Sequence, residues 1–383
     1  MKELESVFDN IKPASRGQEK LKEALASGRA TIVGVFGPTG TGKSYLSIAY
    51  GLQELARGRY KRLVVAKPII DVTTGREITL VNNPENYSRL ASEYLYDLTV
   101  GLAGKDLLDK LISEGKIILA DPHLLRGRTF DDSIIFLDDA QNARPEAIVE
   151  AITRLGMRSR LVIAGDPVFQ RGPHREGIRL ARELLLGEDD AEVVDLGVKD
   201  IVRPGAKRGI RLLLELQVRK RSLTPREEEI LNVAKRTAPD ADIITVVDLL
   251  ELKKKWRIES PHVPDILIIV KEKHLGRVIG QGGERINRIE EEAGANIRAI
   301  PLTLDFKEYI RAFHPVAWIH KHILDFDFAG PELRIVIEKG YLGPMLGQGG
   351  SYIRFIDEVF NELFGVSVYV VESEEKPKRR KRK

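Results

Sequence analysis

The 383-residue chain contains no cysteine. Disulfides and cysteine-bound zinc are thereby excluded, and a reducing, cytoplasmic setting is the expectation. It also lacks any run of about 18 apolar residues, the length a bilayer-spanning helix needs, so no membrane contact is expected. The opening decamer MKELESVFDN has no apolar stretch of the signal-peptide kind. What the chain has instead is charge: 31% of residues are Asp, Glu, Lys or Arg against 43% hydrophobic, the balance of a soluble globular protein. Its length exceeds one ordinary core and predicts two or three domains. The net charge is +4, and KPKRRKRK at residues 376–383 supplies seven basic groups, without which it would be −3. The pI of about 9.0 therefore belongs to this tail, which is expected to stay unfolded and seek a polyanion.

Between Thr31 and Leu196, six short apolar runs alternate with helical patterns: TIVGVF, LVVAKP, KIILADP, SIIFLDD, RLVIAGD and AEVVDLG. They are rich in valine and isoleucine and apolar on both faces, which predicts buried parallel strands covered by helices on both sides. A charged, helix-forming stretch follows, and Pro261 and Pro264 mark a boundary. From Asp265 the pattern reads strand to 270, short helix to 279, a glycine turn, helix over 284–293 and strand over 296–300. The same order returns over 332–371. Gly280 and Gly347, which open the two turns, are 67 residues apart, so a small unit is repeated in tandem.

GPTGTGKS fits G-x-x-x-x-G-K-[ST], with Gly37, Gly42, Lys43 and Ser44 at the fixed places. An apolar strand precedes it and a helical pattern follows, the context a phosphate-binding loop requires. Pro38, Thr39, Gly40 and Thr41 complete a loop whose backbone N–H groups would wrap the β-phosphate of ATP at a helix N-terminus. Lys43 would reach the β- and γ-oxygens, and the Ser44 hydroxyl would ligate Mg²⁺. SIIFLDDAQN supplies the partner carboxylates at a strand end next to that loop. Asp138 is assigned to the metal and Asp139 to the attacking water.

RGRTFDDSIIFLDDAQNA (126–143), AITRLGMRSRLVIAGD (151–166), KDIVR (199–203) and GQEKLKEAL (17–25) together resemble the PhoH-like P-loop ATPases, relatives of the superfamily 1 helicases. The resemblance implies a RecA-like sheet and ATP hydrolysis. It implies that Gln18 contacts adenine, that Asp166 belongs to the nucleotide site, and that Gln170 senses the γ-phosphate. Arg203 would be an arginine finger, acting within one chain or across a subunit boundary of a homo-oligomeric ring such as a hexamer. Gln141 is placed to sense nucleotide or nucleic acid. The chain departs from the family pattern in three places: Asp139 stands where Glu is usual, one extra residue precedes Gln170, and Lys67 stands where Arg-Pro is common. A second RecA-like domain is not legible.

VIGQGGERI and MLGQGGSYI resemble the GxxG turn of KH domains, modules that bind single-stranded RNA or DNA. The turns are Gly280–Gln281–Gly282–Gly283 and Gly347–Gln348–Gly349–Gly350. Their glycines would allow close approach of a sugar-phosphate backbone, and neither turn carries an acid to repel it. Lys271, Lys273, Arg277, Arg285 and Arg288 flank the first, whereas Glu338, Asp357 and Glu358 accompany Lys339 and Arg354 at the second. The first copy is therefore expected to bind phosphate more strongly.

The expected architecture is α/β: a RecA-like P-loop NTPase sheet (1–215), a charged helical connector (216–263), two small α+β KH domains (264–330 and 331–372) and the basic tail (373–383). The expected activity is ATP hydrolysis coupled to remodelling or unwinding of single-stranded RNA. The alternatives are a nucleotide-switched RNA-binding adaptor and a small-molecule phosphotransferase.

Overall fold

The computed structural model describes residues 1–71, 73–125, 127–170 and 175–374, and the basic run at 376–383 lies outside them. The chain divides into two compact units, residues 1–207 with 329–331, and residues 208–328 with 332 onward.

In the first unit, strands β1 (Ile32–Phe36), β2 (Arg62–Ala66), β5 (Ile117–Ala120), β6 (Ser133–Leu137), β7 (Arg160–Gly165) and β8 (Ala191–Asp195) form one sheet, while β3 (Ile69–Ile70) and β4 (Glu77–Ile78) pair apart from it as a small hairpin. The sheet order is β5-β2-β6-β7-β1-β8, and every pairing is parallel. Strand alternation divides the core in two. Val33 and Val35 pack with Leu46, Leu52 and Leu63 on one face, while Ile32 and Phe36 pack with Ile135 and Leu161 on the other. Both faces are covered, as continuous apolar strands demand. The loop after β1 thus opens at the carboxyl edge of the sheet, where the strand order changes direction and ligands of α/β folds sit. In this order β7 lies between β1 and β6, the strand that ends at the carboxylate pair.

The second unit holds two three-stranded sheets. In the first, β9 (Ile243–Asp248) pairs antiparallel with β10 (Ile266–Val270), which pairs parallel with β11 (Ile297–Pro301). Residues 216–263, expected as a connector, therefore supply an edge strand. They also supply the helix Pro225–Thr237, whose Ile230, Val233 and Ala234 cover β9 and β10 in one aliphatic core. This contribution was missed because a polar helix followed by IITVVD reads as linker when the partner strand is remote in sequence. The second sheet has the order β12 (Ile323–Ala329), β13 (Glu332–Ile337), β14 (Val368–Glu372), with β13 and β14 parallel. The expected boundary at 330/331 cuts between two neighbouring strands of this sheet.

Both modules share the order helix, strand, strand, short helix, glycine turn, helix, strand, and the first adds the helix Leu250–Trp256 between its two opening strands. Their cores differ in chemistry: the first is aliphatic, whereas Phe306, Tyr309, Phe313, Phe326, Phe355 and Phe360 are fully buried in the second. No described helix is long and apolar enough to cross a membrane.

Candidate nucleotide site and glycine turns

Gly37 leaves β1 where a Cβ would stand 2.4 Å from the Leu196 carbonyl oxygen, and Gly42 has φ +89° with Gln18 2.9 Å from its Cβ position. Only glycine permits that path, which returns the chain directly into the helix Lys43–Ala56. Lys43 is buried, its Nζ donating to the Gly37 and Pro38 carbonyls at 2.7 and 2.8 Å. Burial pulls its pKa down, and Asp166, Asp138 and Asp139 oppose that pull.

A cavity of about 630 Å³ is lined by Gln18, Thr39, Gly40, Gly42, Lys43 and Ser44, together with Lys67, Tyr94, Asp138, Asp139, Asp166, Gln170 and Arg203. The fold thus brings Gly42, Lys43 and Ser44 of the loop and the acids that follow β6 and β7 to one place. Asp138 is buried, and its Oδ2 accepts from the Tyr94 hydroxyl. Burial, then the neighbouring Asp139, raises its pKa, while Lys67, Tyr94 and Ser44 hold it down. Asp139 adopts the left-handed conformation at φ 50° and forms an ion pair with Lys67. Burial alone would raise its carboxyl, but Lys67 and a 3.2 Å bond from Gln141 bring it below the usual range. Lys67 also lies 4.1 Å from the centre of the Tyr94 ring. At Asp166, Oδ1 accepts from the Val168 and Phe169 amides, and Oδ2 makes no hydrogen bond of ordinary geometry. Burial raises its pKa against the pull of Lys43.

Gln170, despite the extra residue before it, reaches the cavity and pairs with Gln141, whose Oε1 accepts from the Asp166 amide at 3.0 Å. Gln141 therefore links the ends of β6 and β7, a role that sequence spacing does not disclose. Gln18 lines the cavity, but both ends of its amide are engaged: Nε2 donates to the Thr41 carbonyl at 2.9 Å and Oε1 accepts from Ala14 at 2.8 Å. It braces the loop as well as facing it. Asp200 holds the Gly17 amide at 3.0 Å, which brings the KDIVR segment beside the helix Arg16–Ser27. Arg203 then stands exposed at the rim, 3.5 Å from Thr39 Oγ1 of its own chain. Tyr94 was missed by sequence reasoning, since a tyrosine in an amphipathic helix carries no signal of its own.

Three buried or half-buried carboxylates face two ammonium groups here, and Asp166 keeps an oxygen without a donor. That donor set fits a hard divalent cation with oxygen ligands, and Ser44 and Asp138 would hold it.

At the first glycine turn, Gly280, Gly282 and Gly283 have φ of 77°, 65° and 88°; at the second, Gly347, Gly349 and Gly350 have 72°, 60° and 77°. The two turns are one conformation built twice, with Gln281 and Gln348 at matching places. The charge expectation fares differently. Arg285 is paired with Asp240, Arg288 with Glu292 and Lys271 with Asp242, and Arg277 donates to the Asp240 carbonyl. At the second copy, Glu338 is taken by His322, Glu358 by Lys255, and Asp357 by the Val368 amide. Four of the five bases of one copy, all but Lys273, and the acids of the other have partners among the described residues, so the contrast counted along the sequence shrinks at the surface.

The PhoH-like protein family matches residues 10–215, and the KH domain family matches residues 243–304. The chain is similar to the PhoH-like protein of Mycobacterium leprae (strain TN), 33% identical over 198 residues covering 50% of this chain and 55% of that one. It is similar also to the PhoH-like protein of Bacillus subtilis (strain 168), 31% identical over 199 residues covering 51% and 60%. It thus spans about half the length of the curated relatives it matches. Among solved structures, a DNA replication initiation factor is 14% identical over 82% of this chain and 91% of that one at a TM-score of 0.27, a likeness too slight to carry any argument. With more than half of its length matched, and a phosphate-loop cavity inside the matched region, the chain belongs to the PhoH-like protein family.

Proposed function

We propose that this protein binds and hydrolyses ATP in its first unit and holds single-stranded RNA through two KH modules in its second. The observation that carries the first half is the convergence of Lys43, Ser44, Asp138, Asp139, Asp166, Gln170 and Arg203 on one cavity. Lys43 moves from loop carbonyls to phosphate oxygens, an exchange that keeps its charge compensated in a buried place. Ser44 and Asp138 would hold a Mg²⁺ ion, which when bound would neutralise phosphate charge. Asp139, kept ionised by Lys67, accepts a hydrogen bond from the attacking water and orients it; its lowered pKa makes it a weak base. Arg203 stabilises charge on the transferring group from the rim. The paired glycine turns support the second half, each presenting backbone N–H groups and no acid to a sugar-phosphate chain.

Coupled remodelling or unwinding of RNA is the fuller activity proposed, in the cytoplasm. One observation favours a slower, adaptor-like use of the nucleotide: both oxygens of Asp139 are engaged, by Lys67 and Gln141. Strand displacement by the full chain separates the two.

The test of the shared reading is the rate of phosphate release with and without single-stranded RNA, in the native chain and in Lys43→Ala. We expect RNA to raise the native rate. Lys43→Ala should lose hydrolysis by at least about a hundredfold, the size of effect expected for a lost transition-state charge contact, while retaining RNA binding. Undiminished turnover in Lys43→Ala would remove the loop from the chemistry.

A further inference from the structure

Between its first helix, Lys307–Phe313, and β12, the second module has nine residues, HPVAWIHKH. The first module has only five, Ala238–Asp242, between Pro225–Thr237 and β9. The longer segment carries three of the seven histidines and one of the two tryptophans in the chain. His314 secures it: fully buried, it meets the Met345 carbonyl at 3.2 Å and accepts from the Val316 amide at 3.0 Å. Met345 lies in the helix Leu342–Leu346 that delivers Gly347, so the insertion is fastened to the glycine turn's own helix.

On this support stands an aromatic corner. His322 and Tyr341 lie face to face, with centres 3.6 Å apart and planes 13° from parallel. Trp318 stands nearly perpendicular to both, 5.6 Å from His322 and 6.1 Å from Tyr341. Similar distances to two stacked rings place the indole beside the pair rather than on top of it. Glu338 is hydrogen-bonded to His322 at 2.9 Å, which orients the imidazole and occupies the nearby carboxylate. Trp318 nevertheless remains 44% exposed. Lys321 and Lys339, both exposed, have no carboxylate partner among the described residues. A lone exposed apolar side chain is ordinary. A braced indole on a segment that carries the uncommitted Lys321, packed on Tyr341 two residues after the uncommitted Lys339, is a surface of a specific kind.

We propose that Trp318 is a stacking platform for an unpaired base of single-stranded RNA, and that the second module is an active binding module because of it. The inference rests on the reading of this unit as a single-strand binder. The chemistry suits that ligand: an aromatic face takes any base without demanding its identity, Lys321 and Lys339 attract the flanking phosphates, and the Gly347–Gly350 turn lies next along the chain. Because packing already orders the indole, little side-chain freedom is lost on binding. The platform compensates at the second module for a glycine turn with few basic neighbours.

The experiment uses the full chain, an oligouridylate, and the same oligomer with abasic sites, by filter binding across a salt series. Trp318→Ala should weaken binding to oligouridylate by about 5- to 100-fold. The salt slope should not change, since no phosphate contact is removed. Trp318→Phe should stay within about threefold of the native affinity because a ring remains. The native chain should prefer the normal strand over the abasic one, and Trp318→Ala should lose that preference. Native tryptophan emission should quench on binding, a readout that needs no substitution, and most of the quench should vanish in Trp318→Phe. If the native chain binds the strand and Trp318→Ala binds it equally well, the platform is overturned while the single-strand reading stands. If the native chain binds no single strand at low salt, both fall together.

Discussion

At the scale of single residues, the phosphate-loop cavity is organised by pairs rather than by isolated side chains. Lys67 neutralises Asp139 and lies against Tyr94, which donates to Asp138. Gln141 joins Asp139, Asp166 and Gln170. Each acid is thus linked to another through one or two shared neighbours, Tyr94 and Lys67 between Asp138 and Asp139 and Gln141 between Asp139 and Asp166, and removing one link loosens the next. In the second unit, His314 shows burial as the leading cause of a shift. Its pKa is pushed down to about 4, chiefly by desolvation, because a charged imidazole would need two acceptors where one nitrogen already accepts from Val316. A depressed folded pKa means that the neutral form is favoured by folding. The contribution is present in full above the unfolded value of about 6.5 and is lost as pH falls through 4. We expect the second module to lose roughly 2–3 kcal/mol of stability between pH 6.5 and 4 from this group, and His314→Gln to show a shallower decline. Denaturant midpoints measured in both proteins across that range check it, and parallel curves would assign the decline to other groups.

At the scale of elements, each module depends on a helix that precedes its recognisable repeat. Pro225–Thr237 begins with a capping box, in which Thr224 accepts from the Glu227 amide and Glu227 accepts from the Thr224 amide. Glu227 is buried and also holds Arg221 and the Asp248 amide, so it fastens the helix start to β9. Arg221 continues to Glu362 of the second module. A fragment starting at residue 264 would lack this helix and β9, exposing the aliphatic face of β10. We expect a fragment spanning 264–374 to be expanded and protease-sensitive, and one spanning 208–374 to fold with a cooperative thermal transition. Circular dichroism and limited proteolysis distinguish them. A cooperative transition in the shorter fragment would show that the helix and edge strand are dispensable.

At the scale of the whole molecule, the question is whether one chain completes the nucleotide site. Arg203 lines the cavity of its own chain and stands 3.5 Å from Thr39. A finger supplied by a neighbouring subunit is therefore not required by this geometry. Mixing Arg203→Ala with Asp139→Asn should give no more hydrolysis than the two variants measured apart. Recovery well above that sum, read as phosphate release at fixed total protein, would show instead that the site is shared between subunits.

The sequence by itself determined the features that depend on local chain geometry. G-x-x-x-x-G-K-S must form a phosphate-sized loop between strand and helix, because few other residues tolerate that backbone. Buried strands announce themselves as valine- and isoleucine-rich runs, and GQGG written twice yields the same dihedral angles twice. The tertiary structure alone decided what depends on partners distant in the chain. It inserted β7 between β1 and β6, recruited 225–248 into the first module's core, and moved β12 to the other side of the expected boundary. It also brought Tyr94 to Asp138 and set Asp240, from a distant segment, against Arg285 and Arg277 beside the first glycine turn. The physical reason is common to all of these. A charge or an apolar face counted along the chain is only an available contact, and whether solvent or ligand meets it depends on what the fold has already placed against it.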